Sequence, residues 1–250
     1  MTDKSMSSLG RMLSVLDLFS DSRLTWTAEA ITEALQVSLP TGYRYVKMLV
    51  DAGLLQRAAD AGYTLGPRII VLDHYIRMAD PVLAHGVPFM QELVEQTGFD
   101  CVISGLHGQQ VLDTHREFGK APAVLSYGRG RPRPLFLGAA PKAILSRFAP
   151  AQLHRVLDSH ANEVAAAGLP TDWPAFRRYF SAIRKAGYYF SNGELEANLA
   201  AVAAPMQKAD GTILGAISLV TTGQRMAVMD LGKVTQLVMR AAQDITARVP

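Results

Sequence analysis

Residues 40–51 show the clearest helical pattern of hydrophobic and polar positions in the chain. The face that a core would bury is made of Gly42, Tyr45, Val46 and Leu49. The opposite face carries Thr41, Arg44, Lys47 and Met48. Pro40 has no amide hydrogen and suits the first helical position, so Leu39 before it is predicted to be the cap residue. The pattern predicts an amphipathic helix that ends before Gly53.

Two short strand-like runs follow this helix, at 54–57 and 63–65, and a turn that ends in Gly62 joins them. Helical spacing also predicts a first helix from Leu9 to Phe19 with Arg11 on its outer side, and Thr27 is predicted to cap a second helix that runs to Leu35. Residues 1–7 are expected to be disordered. A helix pair followed by a hairpin predicts a winged helix-turn-helix domain over residues 1–67, although any small helical subdomain with a hairpin would give the same pattern.

Residues 68–82 are predicted to be a linker helix that Pro81 interrupts and whose apolar stripe needs a partner, either the second domain or a second subunit. Residues 83–250 alternate helices with β-branched runs. Predicted strands, several joined by tight turns at His107-Gly108 and Asp210-Gly211, cover 101–104, 110–113, 123–126, 188–190, 200–206 and 213–220. Predicted helices cover 89–97, 140–148, 172–186 and 226–248. This order predicts an α+β domain with a largely antiparallel sheet.

Composition narrows the class of protein. The chain has 250 residues, of which 49% are hydrophobic, so it can bury two cores. The net charge of the whole chain is +3, but residues 1–80 hold eight Lys or Arg against nine Asp or Glu, a net charge of −1. Contacts between this domain and nucleic-acid phosphates must therefore rest on local basic patches around residues such as Arg57 and Arg68. A single cysteine, Cys101, excludes an intrachain disulfide and fits the cytoplasm. No signal sequence and no apolar run long enough to cross a membrane is recognised.

Several segments, in this order, resemble the IclR family of bacterial transcription regulators. In the first domain these are Leu-Gly-Arg-Met-Leu at 9–13, Thr-Gly-Tyr-Arg at 41–44, Gly-Leu-Leu at 53–55 and the run 63–68. In the second domain they are Arg-Pro-Leu at 133–135, Gly-Ala at 138–139, 142–145, Gly-Tyr at 187–188, Gly-Glu-Leu at 193–195 and Ala-Ala-Pro at 203–205. The chain departs from the family pattern at Pro40, at Pro141 and at Gly42, where the family usually has valine or isoleucine. Glycine inside a helix costs about 1 kcal/mol relative to alanine, so Gly42 implies a softer helix or unusually close packing.

The resemblance implies a ligand-responsive regulator, repressor or activator, that acts as a homodimer or homotetramer on double-stranded promoter DNA. It also implies a GAF-like effector domain that binds a small molecule, which we expect to be an aromatic carboxylate. An exposed face of hydroxyl and cationic groups suits the major groove, where Arg and Lys reach guanine edges or phosphates. The predicted DNA-binding residues are Arg11, Thr41, Tyr43, Arg44, Lys47 and Arg57.

By position in the family, the effector-binding residues are Gly138, Ala139, Asn192, Ala201, Val202, Ser218 and Val220. Gly138 and Ala139 precede a predicted helix, whose free amides attract a carboxylate. Neighbouring apolar and aromatic side chains favour a ring-bearing acid over a sugar. No cofactor is expected.

The alternative function is a small-molecule-processing or metal-dependent enzyme built on the second domain. Asp113, His115 and Glu117 alternate on one predicted strand and would share a face as metal ligands, but a solvated strand edge has the same pattern. Other candidate groups are His154, Asp158 and His160, and Cys101 as a nucleophile. No nucleophile elbow or phosphate-binding glycine loop supports catalysis. A third hypothesis is that the protein is an interaction module that uses the 68–80 helix and the final helix.

Overall fold

A computed structural model describes residues 7–108, 110–125 and 127–250. The chain forms two compact units, divided between Asp80 and Pro81, and each is described by itself. The predicted disorder of residues 1–7 lies, except for Ser7, outside the described residues, and so does Ser126 of the predicted strand 123–126.

The first unit is a winged helix-turn-helix domain, as predicted. Its elements are α1 (Ser8–Leu13), α2 (Ala28–Ala34), α3 (Leu39–Asp51), β1 (Leu55–Arg57), β2 (Tyr63–Leu65) and α4 (Arg68–Ala79). The two strands pair antiparallel, with Leu55 opposite Leu65. Thr27 caps α2, because its side-chain oxygen accepts a hydrogen bond from the Ala30 amide at 3.2 Å.

The amphipathic pattern of α3 is confirmed. Its four buried residues are Gly42, Tyr45, Val46 and Leu49. The predicted cap is wrong by one residue, since Ser38 is the cap and Leu39 is already helical. The amides of the first four residues of a helix have no partner within it, so Pro40 is tolerated at the second position as well as at the first.

Gly42 lies where α3 comes closest to α2. A Cβ atom at position 42 would lie 1.9 Å from the Thr32 Oγ1 atom. That hydroxyl is buried and donates a hydrogen bond to the Ala28 carbonyl at 2.7 Å, so it is fixed in place. The glycine therefore reflects close packing between the two helices.

The predicted first helix is too long. Helix α1 ends at Leu13, and a separate 3-10 helix follows at Leu16–Leu18. Ser14 ends α1 by donating its hydroxyl to the Arg11 carbonyl at 2.9 Å, and the turn places Val15 in the core. As a result, two residues that were predicted to be buried are exposed to solvent: Leu9 is 66% exposed and Leu13 is 52% exposed.

Helix α4 has no buried residue within the described chain. Its exposed large hydrophobic side chains are Ile70, Val71, Leu72, Tyr75, Ile76 and Met78. The predicted apolar helix that lacks a partner is therefore present.

The second unit is an α+β domain with an antiparallel six-stranded sheet of order β5-β4-β3-β8-β7-β6, as predicted. The strands are β3 (Asp100–His107), β4 (Gln110–Glu117), β5 (Pro132–Arg133), β6 (Tyr189–Asn192), β7 (Leu199–Gln207) and β8 (Ile213–Thr222). The helices are α5 (Pro81–Thr97), α6 (Ala139–Leu145), α7 (Pro150–Ser159), α8 (Ala161–Ala166), α9 (Trp173–Ala186), α10 (Gly223–Ala227) and α11 (Leu231–Arg248). One core lies between the sheet and α5 and α11, and the other lies between the sheet and α6 and α9.

Several predicted elements of this unit are wrong in their limits, including β3 and β4, which extend beyond their predicted ends to His107 and Glu117. Helix α5 begins at Pro81, eight residues before the predicted start, and contains Pro88. The closing helix begins at Leu231, after the separate α10, because Asp230 caps it by accepting from the Lys233 amide at 3.2 Å. Residues 123–125 are not a strand.

The backbone of Ala123 is bound by side chains instead of by a neighbouring strand. Its amide donates to the Asp100 carboxylate at 2.7 Å, and its carbonyl accepts from Arg116 at 2.6 Å. The strand that pairs with β4 is β5, at Pro132–Arg133.

Replacing Gly42 by alanine is expected to destabilise the first unit. Overpacking costs about 1–3 kcal/mol, and this exceeds the roughly 1 kcal/mol that alanine gains in helix propensity. Urea denaturation followed by Trp26 fluorescence, in a Trp173→Phe background, measures the change. The matched double variant Gly42→Ala with Thr32→Ala removes the Oγ1 atom and is expected to be less destabilised than the sum of its single variants. A Gly42→Ala protein as stable as the unaltered chain would show that the helices separate without cost.

Candidate functional site

The predicted recognition helix and the wing form one exposed cleft of about 510 Å³. Its lining consists of Tyr43, Arg44, Val46, Lys47, Val50, Asp51, Arg57 and Tyr63. Four of the six predicted DNA-binding residues thus lie together, Arg57 because β1 holds it opposite Tyr63 in the hairpin. The cleft contains three cationic side chains and one carboxylate, so its local charge is opposite to the slight negative charge of residues 1–80.

The other two predicted DNA-binding residues, Arg11 and Thr41, are half-buried and do not line this cleft. The Thr41 hydroxyl shares a hydrogen bond of 3.0 Å with the Ser38 hydroxyl at the start of α3. Arg68, a further candidate for phosphate contact, donates to the Ala52 carbonyl at 3.1 Å, so it closes the end of α3.

Sequence reasoning missed a contact between the two helices of the motif. The Tyr43 hydroxyl donates a hydrogen bond to the exposed Glu29 carboxylate on α2. This bond raises the pKa of the Tyr43 hydroxyl and lowers the pKa of Glu29. The Tyr43 proton is thus engaged within the protein, and the exposed ring is the part of Tyr43 that remains for another molecule.

Four of the seven predicted effector-binding residues line a small cavity of about 30 Å³ beside the start of α6. The lining residues are Leu125, Tyr127, Arg133, Gly138, Ala139, Ser191, Leu195, Glu196, Leu199, Ala200, Ala201 and Val220. Gly138, Ala139, Ala201 and Val220 are thus brought together, whereas Asn192, Val202 and Ser218 do not line the cavity.

Strand register explains two of the three displaced residues, Val202 and Asn192, whereas Ser218 is engaged by a hydrogen bond within the sheet. Ala201 lies opposite Val220, whereas Val202 lies opposite Leu219 and faces the core under α5 and α11, on the other side of the sheet. The Ser218 hydroxyl is buried and donates to the Val102 carbonyl at 3.3 Å, so it is a satisfied strand serine. Asn192 is exposed, and its neighbour Ser191 lines the cavity instead.

An internal carboxylate already occupies the amide that was expected to bind an effector. Glu194 accepts hydrogen bonds from the Gly138 amide at 3.0 Å and from Lys142 Nζ at 2.6 Å. The Tyr189 hydroxyl also donates to Glu194 at 2.7 Å and accepts from Tyr179 at 2.9 Å. Burial, followed by these hydrogen bonds, raises the pKa of Tyr189, so the tyrosine stays neutral. The Gly138 amide is therefore not free to bind a ligand carboxylate.

Arg133 is the cavity residue that sequence reasoning missed. Its side chain is 9% exposed and donates to the Asp113 carboxylate at 3.1 Å, which also accepts from Ser104 at 2.7 Å. The buried Nε atom of Arg133 has no hydrogen-bond partner among the residues that the structure describes. The available signal was the arginine at the head of the Arg-Pro-Leu segment, directly before the apolar run 134–137.

The candidate metal ligands do not form a cluster. A bulge between Ile103 and Ser104 in the pairing of β3 with β4 breaks the alternation of Asp113 and His115. His115 contacts Glu117 at 2.7 Å, while Asp113 binds Arg133. Within the described part of the chain, no group of three His, Cys, Asp or Glu side chains is placed to hold a metal ion.

The surroundings of two other candidate catalytic groups do not favour catalysis. Cys101 is fully buried, and this burial raises the pKa of its thiol, so a nucleophilic thiolate is disfavoured. His154 and Asp158 form an exposed pair at 3.0 Å on α7.

Both units match models of one protein family. Residues 8–59 match the IclR helix-turn-helix domain, and residues 75–247 match the bacterial transcriptional regulator IclR C-terminal domain. The chain belongs to the IclR family of transcriptional regulators. It therefore has a DNA-binding helix-turn-helix domain and an effector-binding C-terminal domain. The cleft beside α3 lies in the first domain, and the cavity beside α6 lies in the second.

Individual relatives agree with this assignment along nearly their whole length. The HTH-type transcriptional regulator XynR of Escherichia coli is 22% identical over 237 residues, which cover 94% of each chain. The HTH-type transcriptional regulator KipR of Bacillus subtilis is 25% identical over 209 residues, which cover 83% of each chain.

Among solved structures, an IclR homologue of Microbacterium hydrocarbonoxydans in complex with 4-hydroxybenzoate has the same fold. Its TM-score is 0.78 at 22% identity, and the match covers 97% of this chain and 99% of that one. In the described part of this IclR-family chain, no helix is both long and apolar enough to cross a membrane.

Proposed function

We propose that the cleft beside α3 binds double-stranded promoter DNA and that a small organic carboxylate, bound at Arg133 in the second unit, modulates this binding. The observation that carries the proposal is the grouping of Arg44, Lys47 and Arg57 on one exposed surface of a helix-turn-helix domain. The two binding events are coupled. If the acid changes the affinity of the protein for DNA by some factor, DNA changes the affinity of the protein for the acid by the same factor.

Within the cleft, Arg44 is assigned to base edges, and Lys47 and Arg57 to phosphates. Arg44 is exposed on α3, and an arginine fork matches the acceptors of guanine in the major groove. Thr41 and Arg11 are assigned to supporting contacts at the start of α3 and on α1. Tyr43, whose hydroxyl binds Glu29, offers its ring to an apolar group such as a thymine methyl.

Truncating Arg44 to alanine is expected to cost about 1–3 kcal/mol of binding to the promoter site. That cost corresponds to a loss of roughly 5-fold to 150-fold in affinity. Fluorescence anisotropy at fixed salt, with the DNA upstream of the protein's own gene, measures the loss. Arg177→Ala, which removes an exposed arginine from α9, is the matched control and should bind like the unaltered protein. Equal affinity of Arg44→Ala and the control would remove Arg44 from the interface.

For the effector, Arg133 is assigned to the carboxylate and the apolar lining to the ring. Arg133 lines this cavity and its buried Nε donor has no partner among the described residues, whereas the Gly138 amide is taken by Glu194. The bound 4-hydroxybenzoate in the Microbacterium hydrocarbonoxydans homologue supports an aromatic acid for this chain as well. A cavity of roughly 150 Å³ accommodates benzene, so a ring must displace side chains such as Leu125, Tyr127 and Leu195 as it enters.

Replacing Arg133 by lysine is expected to weaken binding of the acid about 10-fold or more, because lysine keeps the ion pair with Asp113 but loses the planar fork of donors. Calorimetry with 4-hydroxybenzoate, benzoate and 4-hydroxybenzamide measures the effect, and the neutral amide should bind weakly to both proteins. Arg178→Lys, on the exposed side of α9, is the control. Binding of polyols in place of acids, or unchanged affinity in Arg133→Lys, would contradict the carboxylate assignment.

We further propose that a second copy of the chain covers the apolar side of α4. Six large hydrophobic side chains of this helix are exposed, which is unusual for a monomer. An isologous contact between two copies would bury the same stripe on both. It would also present two winged domains to the two halves of a repeated DNA site.

Charge on the α4 stripe is expected to separate the copies. The double variant Tyr75→Glu with Ile76→Glu should be a monomer by light scattering at concentrations where the unaltered chain is a dimer or larger. Val124→Glu places the same charge at a valine that is 87% exposed in the second unit, and it should leave the assembly unchanged. A monomeric unaltered chain, or an intact assembly in the double variant, would refute the proposal.

A further inference from the structure

A second cleft in the C-terminal unit contains a cation, Arg147, that makes no ion pair with the residues that the structure describes. The cleft has a volume of about 340 Å³ and lies where α11 crosses the end of β7. Its lining consists of Arg147, Gly187, Ala204, Pro205, Gln207, Met239, Ala242, Gln243, Thr246 and Ala247, none of which is acidic. It is a different place from the effector cavity, because Gly138 and Ala139 lie at the start of α6 and Arg147 lies just beyond its end.

Arg147 is held at the cleft with its hydrogen-bonding capacity incompletely used. Its buried Nε atom has no hydrogen-bond partner among the described residues, and the described ion pairs do not include Arg147. A buried donor that is left unpaired costs free energy, and a charged one costs more than a neutral one.

A second guanidinium increases the local positive charge. Arg184 donates to the Ser146 carbonyl at 2.6 Å and to the Phe148 carbonyl at 2.5 Å, and these carbonyls flank Arg147 in the chain. Burial, and next the charge of Arg184, lower the pKa of Arg147, as expected of two cations that share a site. An anion at Arg147 would relieve both effects.

The remaining lining determines the class of anion. Gln207 donates to the Gly211 carbonyl at 2.9 Å and Thr246 donates to the Ala242 carbonyl at 2.6 Å, so one N–H of the Gln207 amide and the Thr246 hydroxyl proton are used within the protein. Met239, Ala204 and Ala242 supply an apolar wall. An arginine fork matches two oxygens of a carboxylate or a phosphate, and the wall suits a short hydrocarbon body.

We propose that this cleft is a second ligand site, which binds a small amphipathic organic anion through Arg147 and packs its hydrocarbon part against Met239. The site is independent of the effector cavity at Arg133, and the proposal does not rest on the function assigned to that cavity.

Methionine-methyl NMR tests the proposal, because Met239 lines the cleft and its signal is assigned from the Met239→Leu variant. Addition of hexanoate is expected to shift the Met239 signal saturably. Inorganic phosphate should give a weaker effect, since it has no hydrocarbon part. In Arg147→Gln the hexanoate affinity should fall about 10-fold or more, as expected for loss of a charge-assisted pair. In Arg133→Lys it should remain as in the unaltered chain.

Three results would overturn the proposal: no saturable shift of Met239, an equal shift in Arg147→Gln, or loss of the shift in Arg133→Lys, which would place hexanoate in the effector cavity. Arg147→Lys keeps the charge and provides a second variant should Arg147→Gln fold poorly, and it is expected to retain part of the affinity. Thermal melting of each variant without ligand reports whether the fold is kept. An increase in melting temperature with hexanoate that is present in Arg133→Lys, where the effector cavity is impaired, and absent when Arg147→Gln is added to it gives an independent readout.

Discussion

The close approach of α2 to α3 at Gly42 is the constraint on which the exposed face of α3 depends. The Thr32 hydroxyl fills the space that a side chain at position 42 would need, and its own hydrogen bond to Ala28 prevents it from moving away. This spacing fixes the rotation of α3, so that Tyr45, Val46 and Leu49 enter the core. It also brings Tyr43 within reach of Glu29 on α2. A larger residue at position 42 would separate the helices, and the outward direction of Arg44 and Lys47 would change with them.

In the second unit, buried charges limit what the cavity can offer to a ligand. Every residue of α6 is buried, including Lys142, which is stable there because Glu194 and Tyr189 surround its ammonium group. The same Glu194 carboxylate satisfies the Gly138 amide, so the start of α6 is saturated by the protein itself. The polar group with unused capacity next to the cavity is Arg133. We therefore assign recognition of a charged ligand at this position to Arg133, which forms an ion pair with Asp113.

Local patterns predicted the elements whose causes are local. Helical spacing and Pro40 located α3, Gly62 located the wing turn, and paired turns located the antiparallel sheet. The errors occur where a distant partner decides the outcome. Ala123 is irregular because Asp100, 23 residues away, binds its amide. The choice between Ala201 and Val202 depends on the register with β8, which a single strand does not reveal. The position of Arg133 at the cavity could not be predicted from local sequence, because its partner Asp113 lies 20 residues before it.

The small size of the effector cavity separates binding from regulation. A ligand with equal affinity for two states of a protein shifts neither of them, however tightly it binds. A ring-bearing acid cannot enter about 30 Å³ without moving side chains such as Tyr127 and Leu195, so it binds a rearranged state in preference to the closed one. Under the function proposed above, the carboxylate would supply affinity through Arg133, while the ring would supply the difference between states. Regulatory potency among acids should consequently follow the volume of the apolar part more closely than it follows affinity.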